Sequence, residues 1–213
     1  MEIGPPNEGR RRVEMAVHRI IEANAARSGD APALADSGIT LSYRELNQRA
    51  NAVARHLIAH GFRRGGIATV CLPRCVEAAI VLLGILKAGG TYDLIDSESM
   101  AAAGWPRGVS FAEKQEGDEV RYRAVDVAPA LEQALRSSAN LPIVARESDV
   151  ACVIADGDGS RLLVPHATIM SLQQRVAPPL AEWSDQTGAL DLWAGLMSGA
   201  TVTLSGPALR SAA

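Results

Sequence analysis

Six consecutive residues, Asp156-Gly157-Asp158-Gly159-Ser160-Arg161, hold the densest set of groups able to do chemistry in this 213-residue chain. They follow an apolar run, Val150–Ile154, and precede another, Leu162–Val164. A strand entering a glycine-rich loop is where backbone N–H groups cradle phosphate. The composition of this loop opposes that role: it is short, acidic and without lysine. At about 4 Å and an effective dielectric of about 20, one carboxylate–phosphate contact is worth about 4 kcal/mol of repulsion. Asp156 and Asp158 make only a partial oxygen site, short of the ligand number calcium takes, so a solvated turn is the simpler reading. Arg161 suits bidentate anion binding, but beside two aspartates it is expected to pair with them. His166 would need a partnered Ser, Cys or Asp to act as a base; following Pro165, it is expected to start a helix. Lys87 is placed at a helix end, where its charge complements the dipole. Tyr43 and Trp193 read as core or rim aromatics. No residue is assigned to catalysis, and no metal or cofactor is expected.

The elements that must position these residues follow from hydrophobic spacing. Val13–Ala26 repeats apolar residues at three and four, which predicts a helix. Ala33–Asp36 and Ile39–Leu41 flank Ser37-Gly38 as a hairpin. Ser42-x-x-Glu45 reads as a capping box for a helix over Tyr43–His60, stopped by Gly61. Ile67–Leu72 is a continuous apolar strand, as in a parallel sheet. Arg74–Ala88 is a strongly apolar helix, and Thr91–Ile95 the next strand, so this order implies a parallel pair joined by a crossover. Ser97–Gly117 has no clear period and is assigned no structure. Glu119–Val127 alternates as an edge strand, and Pro129–Ser138 is a short helix. Leu141–Ala145 and Val150–Ala155 are strands, Thr168–Val176 and Leu190–Met197 helices, and Ala200–Leu204 a last strand, with Gly199 as a C-cap. The alternation predicts an α/β fold with a mainly parallel sheet flanked by helices.

Composition narrows the classes. Apolar content of 47% supports a core, and a net charge of −3 offers no electrostatic case for nucleic acid. Cys71, Cys75 and Cys152 have no zinc or redox spacing and read as buried free thiols in a reducing compartment. No apolar run reaches about 18 residues, and no signal-peptide pattern opens the sequence. A cytoplasmic protein is expected, with residues 1–12 a flexible tail around Arg10-Arg11-Arg12 and residues 206–213 a second tail.

Several segments, in order, resemble the adenylation domains of nonribosomal peptide synthetases, which belong to the AMP-binding, adenylate-forming superfamily. Leu41-Ser42-Tyr43-Arg44-Glu45-Leu46 is similar to the first core motif, L-[ST]-Y-x-E-L. Leu86-Lys87-Ala88-Gly89-Gly90-Thr91-Tyr92-Asp93-Leu94-Ile95-Asp96 resembles the second, L-K-A-G-x-A-Y-x-P-[LI]-D, at the right distance from the first. Asp149–Ile154 resembles the strand feeding the third motif, and Leu163-Val164-Pro165-His166 the segment just after it. Leu190–Trp193 through Ser198–Val202 resembles the helix and strand after the fourth. The resemblance implies the N-terminal part of an adenylate-forming fold over residues 13–205.

The departures from that pattern are chemical. Between its strand and its V-P-H the family carries a loop rich in Thr, Ser and Gly that ends in Pro-Lys-Gly. Here the interval is only Ala155–Leu162, so Asp156, Gly157, Asp158, Gly159, Ser160 and Arg161 stand as a degenerate phosphate loop. The family aspartate that binds the substrate amino group aligns with Gln186, which cannot form that ion pair. Asp93-Leu94 replaces the usual x-Pro, and Ser97 the following proline. The family's later motifs, which supply ribose and magnesium contacts and a catalytic lysine, have no match before Ala213, so a truncated domain is expected.

The resemblance therefore implies a catalytically inactive adenylation-like domain with a structural or docking role in nonribosomal peptide synthesis. Its expected partners are other synthetase domains, an MbtH-like protein or a second copy of the chain. Half of a split amino-acid-activating enzyme, completed in trans, and a small-molecule-binding regulatory domain are the alternatives.

Overall fold

A computed structural model describes residues 15–36, 38–95, 108–116, 119–132, 139–142, 145–155, 160–172, 181–182 and 189–204. The stretch 96–107, the turn residues Asp156–Gly159, Gln186 and both predicted tails lie outside them.

The centre is α3 (Val76–Lys87), in which every residue except Glu77 is buried. A helix apolar on all sides can only be an interior one. Against it packs α2 (Tyr43–Ala59), which buries Leu46, Ala50, Val53, Ala54 and Leu57 along one stripe. Ile58, expected on that face, is 39% exposed. The predicted capping box forms: Ser42 Oγ accepts from Glu45 N–H, and the Glu45 carboxylate accepts from Ser42 N–H at 2.8 Å. Gly61 just beyond the helix has φ 95°, a left-handed conformation that a Cβ disfavours. α1 (Val17–Arg27) covers the same core with Val17, Ile21 and Ala25.

The strands form two mixed sheets. In the smaller, β1 (Pro32–Asp36) pairs antiparallel with β2 (Ile39–Ser42), as the hairpin signal predicted. On its other side β1 runs parallel to β10 (Val202–Thr203), which runs parallel to β9 (Ala181–Glu182). The larger sheet has the order β6-β5-β3-β4-β7-β8. Its middle is parallel: β3 (Ile67–Cys71) beside β4 (Thr91–Leu94), and β4 beside β7 (Val150–Ala155). Its ends are antiparallel hairpins, β5 (Gly108–Glu116) with β6 (Glu119–Val125), and β7 with β8 (Arg161–Pro165). The fold is thus α/β with sheets flanked by helices, parallel where crossovers through helices join the strands.

Three details differ from expectation. β5 lies in a stretch without clear period; antiparallel pairing with β6 over Val109–Glu116 and with β3 over Gly108–Phe111 holds it. Leu141, Pro142 and Ala145 are not strand. The helices α4 (Ala128–Glu132) and α5 (His166–Leu172) start one residue and two residues earlier than predicted. α6 (Leu190–Ser198) ends as predicted on Gly199, in the left-handed region at φ 83°. The three cysteines are free and buried.

Candidate functional site

In a parallel sheet of this kind the chemistry belongs in the crevice beyond the carboxyl ends of the strands. Here those ends are Leu94 of β4 and Ala155 of β7, with Ser160 and Arg161 entering β8 beside them. Of the six residues singled out in the loop, Ser160 and Arg161 are described, and both are exposed.

Arg161 is a strand residue, not a loop residue, and its carboxylate partner is Asp93 on β4. The expected pairing with Asp156 or Asp158 lies outside the described residues. The register explains the contact. Asp93 sits opposite Val153 on β7, and Ala155, two residues further along the same face, sits opposite Arg161. Arg161 therefore reaches diagonally across β7. The Asp93 side chain is 9% exposed and that of Arg161 54%, so a buried carboxylate is neutralised by a half-exposed guanidinium. A charged residue inside the apolar strand Thr91–Ile95 was the sequence signal for this pair.

His166 begins α5, as its place after Pro165 predicts and two residues ahead of the start set by periodicity, and is almost fully buried. Its Nδ1 accepts from Val17 N–H at 3.3 Å, and its ring meets that of His18 edge-on at 5.9 Å between centroids. Burial pushes its pKa down to about 4, against a smaller opposing pull from Asp149. His18 is held well below the usual histidine range by burial and by the neighbouring His166 and Lys87. A neutral imidazole closed off from water is a packing group.

Lys87 is the last residue of α3, at a helix end as expected, and has a second role. It is 2% exposed and forms an ion pair with Glu22 of α1. Burial lowers its pKa to about 8, although Glu22 pulls the other way. Glu22 also accepts from Arg19 at 2.8 Å. Asn140 Oδ1 lies 3.4 Å from Lys87 Nζ and accepts from Asn47 and Asn51 at 3.0 and 3.1 Å.

Tyr43 and Trp193 are core aromatics, as expected. The Tyr43 hydroxyl lies 2.9 Å from the Leu196 carbonyl and 2.8 Å from that of Ala200, tying the start of α2 to the end of α6. Trp193 Nε1 donates to the Tyr92 hydroxyl at 2.6 Å. The matched residues Leu41, Tyr43, Glu45, Leu46, Lys87 and Tyr92 thus serve capping and packing.

A second concavity, of about 570 Å³, opens at the amino ends of β3, β4 and β7. Arg64, Thr91, Asp149 and Leu163 line it, and Arg64 pairs with Asp149 at 3.3 Å. No sequence motif pointed to it. Among the described residues no group of three or more His, Cys, Asp and Glu could hold a metal ion. No helix among them is long and apolar enough to cross a membrane.

The fold is an α/β unit with mixed sheets flanked by helices. Residues 21–107 match the family described as AMP-binding enzyme. Bacitracin synthase 1 of Bacillus licheniformis is 30% identical over 214 residues, 88% of this chain. Surfactin synthase subunit 2 of Bacillus subtilis (strain 168) is 30% identical over 213 residues, 92% of this chain. The chain spans only 4% and 6% of the length of those two relatives. The nonribosomal peptide synthetase FmoA3, in its α-methyl-L-serine-AMP-bound form, superposes with a TM-score of 0.71 at 26% identity, over 93% of this chain and 24% of that one. The N-terminal subdomain of NpsA from Klebsiella oxytoca gives a TM-score of 0.72 at 19% identity, over 93% of this chain and 57% of that one. The chain is related to nonribosomal peptide synthetase adenylation domains and carries the fold of their N-terminal part.

Proposed function

We propose that this chain is a catalytically silent adenylation-like domain of the cytoplasm that serves nonribosomal peptide synthesis by docking to other synthetase domains, to an MbtH-like protein or to a second copy of itself. One observation carries the reading: the matched motifs that survive do packing work, while the interval that should cradle phosphate is acidic. Its described cation, Arg161, is paired with Asp93. Loss of loop chemistry leaves core packing, and hence the fold, in place. The purified chain is expected to show no amino-acid-dependent ATP–pyrophosphate exchange; measurable exchange overturns the reading.

The likeness to a synthetase solved with α-methyl-L-serine-AMP bound supports a second reading, half of an amino-acid-activating enzyme completed by another polypeptide. Exchange activity that emerges only on co-expression with neighbouring synthetase proteins separates the two.

A further inference from the structure

We propose that His56 and His60 form a two-imidazole site for a divalent transition-metal ion at the carboxyl end of α2. The inference stands apart from the silent-domain reading and does not rest on it.

His56 lies in the last turn of α2, and His60, four residues on, is its C-cap. Side chains four apart share one face of a helix. Here the two rings stand 4.2 Å apart between centroids, tilted by 43°. Each ring has one nitrogen on a backbone carbonyl. His56 Nε2 donates to the Asp126 carbonyl at 2.8 Å, and His60 Nδ1 donates to the His56 carbonyl at 2.8 Å. A carbonyl oxygen only accepts, so these two nitrogens carry the ring protons. That leaves lone pairs on His56 Nδ1 and His60 Nε2, which have no hydrogen-bond partner among the described residues. Metal-binding histidines share this arrangement: an N–H donated to a carbonyl fixes the tautomer and makes the opposite nitrogen a stronger ligand. His56 is half-buried and His60 exposed, so an ion reaches the pair from water while Asp126, just after β6, holds the inner ring. A cation at this end of a helix also complements the dipole. No third His, Cys, Asp or Glu completes a set among the described residues, so water fills the remaining positions. Imidazole suits Zn²⁺, Ni²⁺ and Cu²⁺, whereas Mg²⁺ and Ca²⁺ take oxygen ligands.

Isothermal titration of the untagged chain with Ni²⁺ at pH 7.5 tests the site. Binding of a single ion is expected, with none of Mg²⁺ at the same concentration. Loss of an outer hydrogen bond alone costs a metal-bound histidine about 10–100-fold in affinity, so His60→Gln, which removes a ligand, is expected to weaken Ni²⁺ binding at least about tenfold. His56→Gln is expected to do the same and serves if the first variant does not fold, as circular dichroism would show. The other two histidines, His18 and His166, are buried and stay in place throughout. Adding Ile58→His to the His60→Gln chain restores the number of imidazoles at a spacing of two, where side chains do not face each other, and is expected not to restore affinity. No Ni²⁺ binding by the unmodified chain overturns the proposal. So do unchanged affinity in the folded His56 and His60 variants, full recovery with Ile58→His, and Mg²⁺ binding as tight as that of Ni²⁺.

Discussion

Lys87 and Glu22 form a buried ion pair that joins α3 to α1. Breaking such a pair costs more than replacing it, because the remaining charge stays buried. Glu22→Gln is expected to destabilise the fold by about 3 kcal/mol, read as a fall in the urea midpoint. The double variant Glu22→Gln/Lys87→Met is expected to recover most of that loss. The buried imidazoles set a second expectation. Burial holds the folded pKa of His166 at about 4, below the ordinary imidazole value of 6.5, and lowers that of His18 too. The unfolded chain therefore binds more protons than the folded one between those values. Stability is complete above about pH 6.5 and declines as pH falls towards 4, by about 3 kcal/mol for His166 at 1.36 kcal/mol per unit. Urea titrations at pH 7.5, 5.5 and 4.5 measure this decline; a flat profile would show that neither imidazole is buried neutral.

At the scale of elements, the α2–α3 crossing depends on a missing side chain. A Cβ at Gly84 would stand 2.6 Å from Val53 Cγ1 and 2.8 Å from Val53 Cβ. These are core atoms of the facing helix, so α2 and α3 would have to part. Alanine is the better helix former by about 1 kcal/mol, and overpacking costs about 1–3 kcal/mol, so Gly84→Ala is expected to destabilise. Val53→Ala in the same chain is expected to restore part of the loss, which thermal melts of the three variants would show. Both helices were legible in the sequence because their apolar stripes repeat at the helical period. The closeness of their approach was not, because it depends on which turn of one helix faces which turn of the other. β5 was illegible for a related reason: its residues do not alternate, and pairing with β6 on one side and β3 on the other imposes the strand.

For the whole molecule, the open feature is β8, an edge of the larger sheet. Leu162 and Leu163 on it are 61% and 57% exposed. Exposed apolar edges invite pairing with another chain. The proposed docking role predicts that the chain self-associates or binds a partner through surfaces of this kind. Leu162→Lys/Leu163→Lys is expected to shift concentrated protein towards monomer in light scattering, with the circular dichroism spectrum unchanged. A chain already monomeric at high concentration, and still so with candidate synthetase domains present, argues against docking.

The sequence by itself determined the α/β alternation, the capping box at Ser42 and Glu45, the hairpin at β1–β2, the stop at Gly199 and the kinship carried by the first two motifs. These are local: each depends on residues within a few positions of one another and on periodicity. The tertiary structure decided which charges meet. Arg161 answers Asp93, 68 residues away. Lys87 ends α3, as expected, and also answers Glu22, 65 residues away. Periodicity says which residues turn inward, but an inward charge takes the partner that sheet register and helix packing bring within reach.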